Sequence, residues 1–193
     1  AVKLALGGDF NVLNALAAIA VSRELDVPLA VIRNTLAEFK GVARRFESHG
    51  PVAGIAIYDD YGHHPTEIRA TIDTARVAHP GGRLYVLFQP HRFTRTKLLA
   101  DEFGGAFEQA DTIYVTDIYA ASEKPINGVS GETIVKSVVR KGHRSAVFVK
   151  NWKSAVQEIV GQAKPGDAIL TLGAGDIDQA PAILAGELKA RHG

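Results

Sequence analysis

Two carboxylates, a phenol and two imidazoles fall within one heptad, Asp59-Asp60-Tyr61-Gly62-His63-His64-Pro65, directly after the apolar run 52–58. A second polar cluster, Gln89-Pro90-His91-Arg92-Phe93-Thr94-Arg95, follows the apolar run 84–88, and a glycine-rich segment, Gly173-Ala174-Gly175-Asp176, follows the apolar run 168–172. None of these groups is needed to pack a core. Imidazoles carry or exchange protons near neutral pH. Guanidinium forks match carboxylate and phosphate oxygens bidentately, so Arg92 and Arg95, three residues apart and next to His91, suit an anion whose charge redistributes during reaction. Both arginines stay protonated, so their work is electrostatic. The bland alternative for the pair is a solvated surface.

The heptad has competing readings. Asp59 and Asp60 suit a helix entrance, where carboxylates offset the positive amino end; they equally suit orientation of a neighbouring Arg, His or amine, or an outer position near a metal–phosphate complex. Pro65 fits the first turn of a helix. Adjacent imidazoles do not easily face one cleft together, so His63 is expected to face the ligand while His64 fixes the loop. Tyr61 either packs half-exposed or lines the pocket. The spacing is not that of a helix-borne zinc site, and the chain has no cysteine, which removes thiolate metal sites, disulfides and cysteine nucleophiles; no metal-ligating residue is predicted. The Gly173-x-Gly175 pair either brings backbone amides to an anion or permits a tight turn, with Asp176 as a cap candidate. No complete GxxxxGK[ST] phosphate loop occurs, and Gly128-Val129-Ser130-Gly131-Glu132-Thr133 lacks its lysine.

These loops need a scaffold that brings them to one edge. Strands are expected at 52–58, 84–88, 112–116, 146–149 and 168–172, and helices at 65–79, 96–109, 131–141, 152–162 and 177–190. Their alternation implies βα crossovers and an α/β fold: a Rossmann-like, mostly parallel sheet with helices on both faces. Ligands of such sheets bind beyond the carboxyl ends of the strands, where all three loops fall. Residues 1–43 have a different rhythm: one helix starting near Asp9 or Asn11 and a second starting at Pro28, with no strand. They read as the end of a preceding domain, 44–193 as a second domain, and the stretch from the low 40s to Pro51 as a linker.

Length and composition agree with this reading. The 193 residues are 46% hydrophobic and 22% charged, with a formal net charge of +1. No dense basic stripe with interleaved aromatics occurs, so nucleic acid is not an expected partner. No apolar run approaches a membrane span, so membrane insertion is not expected either, and a cytoplasmic location is. The chain contains no Met and begins Ala-Val, so it is expected to be a piece of a longer protein.

The chain resembles the Mur ligases. The matching segments are Asn11-Val12-Leu13-Asn14-Ala15-Leu16, Gly41-Val42-Ala43-Arg44-Arg45-Phe46, Asp59 to Glu67, Phe88 to Thr96, Tyr119 to Ile126 and Gly173 to Ile177; they cover almost the whole chain in order and favour the alanine-adding members. The resemblance implies an ATP-dependent amide-forming ligase of peptidoglycan synthesis, using UDP-N-acetylmuramate, L-alanine and ATP with magnesium. The phosphate loop and magnesium ligands are expected in a central ATPase domain, of which 1–43 would be the last part, leaving the fragment inactive alone. It assigns Asn11 and Asn14 to the adenine region, Arg44, Arg45 and Asp60 to ATP or hinge contacts, and Tyr61, His63, His91, Arg92 and Arg95 to the alanine and acyl-phosphate side. The family's usual histidine before Asn11 is Phe10 here. Rival readings are a free-standing Rossmann-like nucleotide-binding transferase and a non-catalytic binding module.

Overall fold

A computed structural model describes residues 1–192, which divide into two compact units, 1–43 and the remainder from 44 onward. The first unit is a pair of helices, α1 (Asp9–Glu24) and α2 (Leu29–Glu38). Gly8 precedes α1 with φ +97°, outside the range L side chains favour, and no side chain caps the helix. Asn11 instead donates from Nδ2 to the Gly7 carbonyl at 2.7 Å. Pro28 starts α2, where its missing N–H costs nothing.

The second unit is a six-stranded sheet of order β1-β2-β6-β3-β4-β5, formed by β1 (Glu47–Val52), β2 (Ile55–Asp60), β3 (Leu84–Phe88), β4 (Thr112–Val115), β5 (Ala146–Phe148) and β6 (Ala168–Leu172). Only β1 is antiparallel. The runs at β3, β4 and β6 are buried throughout, as expected for parallel strands covered on both faces. Helices α3 (Pro65–Ala78), α5 (Ala100–Gly104) and α6 (Gly131–Arg140) bury Ile68, Ile72, Phe103, Ile134 and Val138 against Val86, Phe88, Ile113 and Leu170. Helices α7 (Trp152–Gln162) and α8 (Ala180–His192) bury Trp152, Val156, Ile159, Leu184 and Leu188 against Ile57, Tyr85, Leu87 and Ile169.

The chain steps outward from β3 to β5 and then returns to insert β6 between β2 and β3. Loops leaving β2 and β3 therefore turn toward one face and the loop leaving β6 toward the other. That divergence opens a crevice at the carboxyl ends of three neighbouring strands.

Several boundaries differ from the sequence expectations. The supposed linker contains β1, an edge strand in which Gly50 and Pro51 break the pattern; the register shifts between Ser48 and Pro51, where an edge tolerates a residue lacking an N–H. Asp59 and Asp60 end β2 rather than opening a helix. His64 is the α3 N-cap, with Pro65 following it. The helix expected at 96–109 begins earlier, as α4 (Phe93–Leu98), and breaks before α5; α5 lies so close to α6 that a Cβ on Gly104 would meet Ser137 Oγ at 2.8 Å. The last helix is preceded by a 3-10 turn, Asp176–Gln179, so Asp176 lies within the turn and Gly175 stands at its cap.

Candidate active site

Asp59 and Asp60, at the end of β2, are 2% and 3% exposed, so each carboxylate must find donors inside the fold. Asp59 accepts from Arg44 Nε at 2.9 Å and Thr171 Oγ1 at 2.6 Å. Asp60 accepts backbone N–H groups with both oxygens, from Phe46 at 2.7 Å and Gly62 at 2.6 Å. Burial pushes the Asp60 carboxyl up from its ordinary value, against the pull of those two amides and of Arg45. Both oxygens of Asp60 are thus committed to shaping the loop, for a residue that the resemblance assigned to ATP or hinge contacts. Arg44 likewise turns inward. Besides Asp59, its Nη2 donates to the Gly173 carbonyl at 2.5 Å, so it clips the β1–β2 hairpin to the loop after β6. Arg45 stays exposed, 3.9 Å from Glu67 and with its guanidinium 5.8 Å from the Tyr61 ring centroid.

The loop after β2 is set by the helix that follows it. Glu67 Oε2 accepts from the N–H groups of His63 and His64 at 3.1 and 3.2 Å, satisfying orphan donors at the start of α3. Burial opposes ionisation of Glu67, but these amides together with the charges of His63 and Arg45 outweigh it and hold its carboxyl below the usual value. His64 Nδ1 accepts from Thr66 N–H, so His64 is spent on the cap. His63 lies against Tyr61 with ring centroids 5.2 Å apart and edge-to-face, and its Nδ1 is 2.9 Å from the Tyr61 carbonyl.

His63 also approaches the second cluster: its ring centroid is 5.3 Å from that of His91. His91 stacks on Tyr119 at 5.8 Å with the planes 10° apart, and Arg95 Nη1 lies 3.1 Å from His91 Nδ1. Guanidinium has no lone pair to offer, so that contact requires Nδ1 of His91 to accept. Burial lowers the His91 pKa below its ordinary value, and the charges of His63, Arg95 and Arg92 lower it further; the ring is therefore neutral at physiological pH. Arg92 has φ +73°, donates its N–H to the Tyr119 carbonyl at 2.9 Å, and exposes its side chain. Among the described residues that guanidinium has no hydrogen-bonded or ion-paired partner.

The third loop completes the edge by close approach. Gly173 has φ +147°, and a Cβ there would meet the Gln89 carbonyl at 2.8 Å. A Cβ on Gly175 would run into Gln89 Oε1 and the Tyr119 ring. The glycine pair thus permits a close approach of the third loop to Gln89 and Tyr119. Gln89, 7% exposed, donates from Nε2 to Asp176 Oδ1 at 2.6 Å and accepts from Ile177 N–H at 3.3 Å, which fixes the third loop to the second.

Tyr61, His63, His91, Arg92, Arg95 and the 173–176 loop thus meet at one edge of the second unit. Asn11 and Asn14 are in the first unit, one turn apart on α1, with Asn14 exposed. A family model described as the Mur ligase, glutamate ligase domain, matches residues 44–175. The chain belongs to the Mur ligase family. The UDP-N-acetylmuramate–L-alanine ligase of Sorangium cellulosum is 52% identical over 186 residues, covering 95% of this chain and 40% of that protein. The protein of the same name from Solibacter usitatus is 53% identical over 178 residues, covering 92% of this chain and 38% of its own. The crystal structure of the UDP-N-acetylmuramate-alanine ligase of Thermotoga maritima matches with a TM-score of 0.82 at 33% identity, over 98% of this chain and 40% of that one. This Mur ligase chain spans about two fifths of the length of the curated relatives it matches.

Sequence reasoning marked Tyr119 only as part of a matching segment and gave it no role. Its place on His91 comes from a bridge between the two loops, with no local signal beyond an aromatic in a polar stretch. The inward duty of Arg44 was equally hidden, because its partners lie 15 and 129 residues away.

Proposed function

We propose that this chain is the carboxyl-terminal part of a cytoplasmic, ATP-dependent ligase that joins L-alanine to UDP-N-acetylmuramate through an acyl phosphate, in peptidoglycan synthesis. Residues 1–43 are the last helices of its central ATPase domain and 44–193 its carboxyl-terminal ligase domain. The observation that carries the reading is the convergence of Arg92, Arg95, His91 and His63 at the strand-end edge of a chain so similar to ligases of that name.

In this reading the muramyl carboxylate attacks the γ-phosphate of ATP, and the amine of L-alanine then attacks the acyl-phosphate carbonyl through a tetrahedral intermediate. Arg92, with no protein partner of its own, and Arg95, anchored on neutral His91, stabilise negative charge on the phosphoryl group and the oxyanion. Tyr61 and His63 shape the amino-acid side. Asn14, exposed on α1, and Asn11 contribute to the adenine region, and Arg45 contributes to ATP or hinge contacts. Arg44 and Asp60 act by holding their loops in place. No residue of this chain is assigned to magnesium.

The test is phosphate release by the complete enzyme with ATP, UDP-N-acetylmuramate and one amino acid at a time. L-Alanine is expected to support turnover, and residues 1–193 alone are expected to show none, since the sequence lacks a phosphate-binding loop. Turnover with D-glutamate or a diamino acid in place of L-alanine, or by the isolated chain, would overturn the proposal.

A further inference from the structure

The segment that carries Tyr119 leaves β4 and turns at Ala121 and Ser122, whose φ angles are +47° and +72°. Neither residue is glycine, and each such conformation is strained for an L side chain, so the turn persists only where its surroundings hold it. Its surroundings are the second cluster. Tyr119 N–H donates to the Pro90 carbonyl at 2.8 Å, and Arg92 N–H donates back to the Tyr119 carbonyl at 2.9 Å. Beyond the turn, Glu123 spends both carboxylate oxygens on one residue of α4: Oε1 accepts from Thr94 Oγ1 at 2.6 Å and Oε2 from Thr94 N–H at 3.0 Å.

Tyr119 packs on Gly175 on one side and faces open space on another. It lines a cavity of about 450 Å³ together with Gln89, Thr116, Lys150, Trp152 and Asp176, and it is 40% exposed. Its place on His91 is therefore not enforced by close packing on every side. What closes the segment is its stitching to residues 90–94, and Glu123 is the side chain at the far end of that stitching. Those residues include His91 and Arg92 and lead into Arg95.

We infer that Glu123 is a positioning residue of the ligase site: by bonding Thr94 through both oxygens it holds the strained 121–122 turn closed, keeps Tyr119 flat on His91, and so sets the orientation of the 91–95 arginine cluster toward the anionic substrate. It touches no reacting atom. The inference rests on the proposed function for its kinetic consequence and on geometry alone for its structural one, so the two are tested apart.

The structural arm is amide hydrogen exchange in residues 1–193. In Glu123→Ala the Arg92 and Tyr119 amides are expected to exchange at least tenfold faster, while Ile113 and Leu170 in the sheet core keep their wild-type rates. Thr94→Val, which removes only the hydroxyl contact, is expected to fall between the two. It also provides the answer if Glu123→Ala proves poorly folded and its core amides speed up as well. Unchanged exchange at Arg92 and Tyr119 in Thr94→Val and in a folded Glu123→Ala would overturn the inference. The kinetic arm is the complete enzyme: Glu123→Ala is expected to raise KM for the amino acid and lower kcat at least tenfold with KM for ATP unchanged, and Glu123→Gln, which keeps one acceptor oxygen, is expected to recover part of that loss. Equal loss for ATP and amino acid, or no kinetic loss, would overturn it. Failure of the wild-type enzyme to use L-alanine would instead defeat the proposed function and leave the exchange result standing.

Discussion

Replacing Arg44 by alanine tests whether the second unit is held together at its active edge by one buried charge pair. Asp59 is 2% exposed and has two donors, Arg44 Nε and Thr171 Oγ1. Loss of a hydrogen bond from a charged donor costs about 1.5–3 kcal/mol. Stranding the remaining carboxylate raises that toward the roughly 3–5 kcal/mol of a broken buried pair. Arg44 is itself 21% exposed, so water reaches the vacated space and the expected loss settles at about 3 kcal/mol, or about 150-fold in the folding equilibrium. The left-handed φ of +58° at position 44 is borne equally by alanine and drops out of the comparison. Lysine keeps the charge but lacks the fork that serves Asp59 and the Gly173 carbonyl together, so Arg44→Lys is expected to lose about 1–2 kcal/mol. Urea unfolding followed by the fluorescence of Trp152, the chain's single tryptophan and 4% exposed in the second unit, gives the numbers directly. A double-mutant cycle with Asp59→Asn is expected to show coupling of at least about 1 kcal/mol. A loss below about 1 kcal/mol for Arg44→Ala, or strict additivity in the cycle, would refute the reasoning.

His91 is expected to titrate below its ordinary value of 6.5 in a nitrogen-15 NMR titration of the chain, and Arg95→Ala is expected to raise the midpoint part-way back, since burial remains. The unfolded chain then takes up that proton first, so stability falls as the pH drops from the unfolded value through the folded midpoint; a midpoint at or above 6.5 would contradict the neutral, accepting ring. Arg92→Ala is expected to lower kcat of the complete enzyme by about 10²–10³-fold, the loss typical of a donor to developing charge, with Trp152-monitored stability unchanged. Arg92→Gly is expected to lose the same activity while gaining roughly 1 kcal/mol of stability from relief of φ +73°, and retention of turnover by either variant would remove Arg92 from the site.

The parallel strands were legible because burial on both faces leaves continuous apolar runs: 84–88 and 168–172 match β3 and β6 as read. β1 was not legible, since an edge strand with a bulge, a glycine and a proline carries neither an apolar run nor alternation. Asp59 and Asp60 extend β2 by two residues against every local signal. What permits it is distant: Arg44, Thr171 and the Phe46 amide satisfy carboxylates that otherwise belong in a turn. The loops that meet at the edge were legible from their side chains, whereas the division of labour within them was not. Glu67 settles which of two adjacent histidines caps α3, and a loop after β4 settles where His91 points.

That division of labour also explains the electrostatics of the edge. Among the described residues, Arg44 is matched by Asp59 and Arg45 stands near Glu67. Asp176 is bonded to Gln89, and Glu123 to Thr94. Asp60 has both oxygens on backbone amides. The acids next to the site are thus occupied by neutral donors or by their own cations, while Arg95 rests on a neutral imidazole and Arg92 on nothing. Arg92 and Arg95 stand in the loop and helix start that follow β3, next to the insertion of β6 between β2 and β3. An edge whose carboxylates are committed to protein donors and whose Arg92 guanidinium has no protein partner among the described residues suits the anion of the proposed reaction. Charge of that sign develops twice on the proposed reaction path, on the phosphoryl group and then on the tetrahedral oxygen, and the same pair can serve both steps without moving.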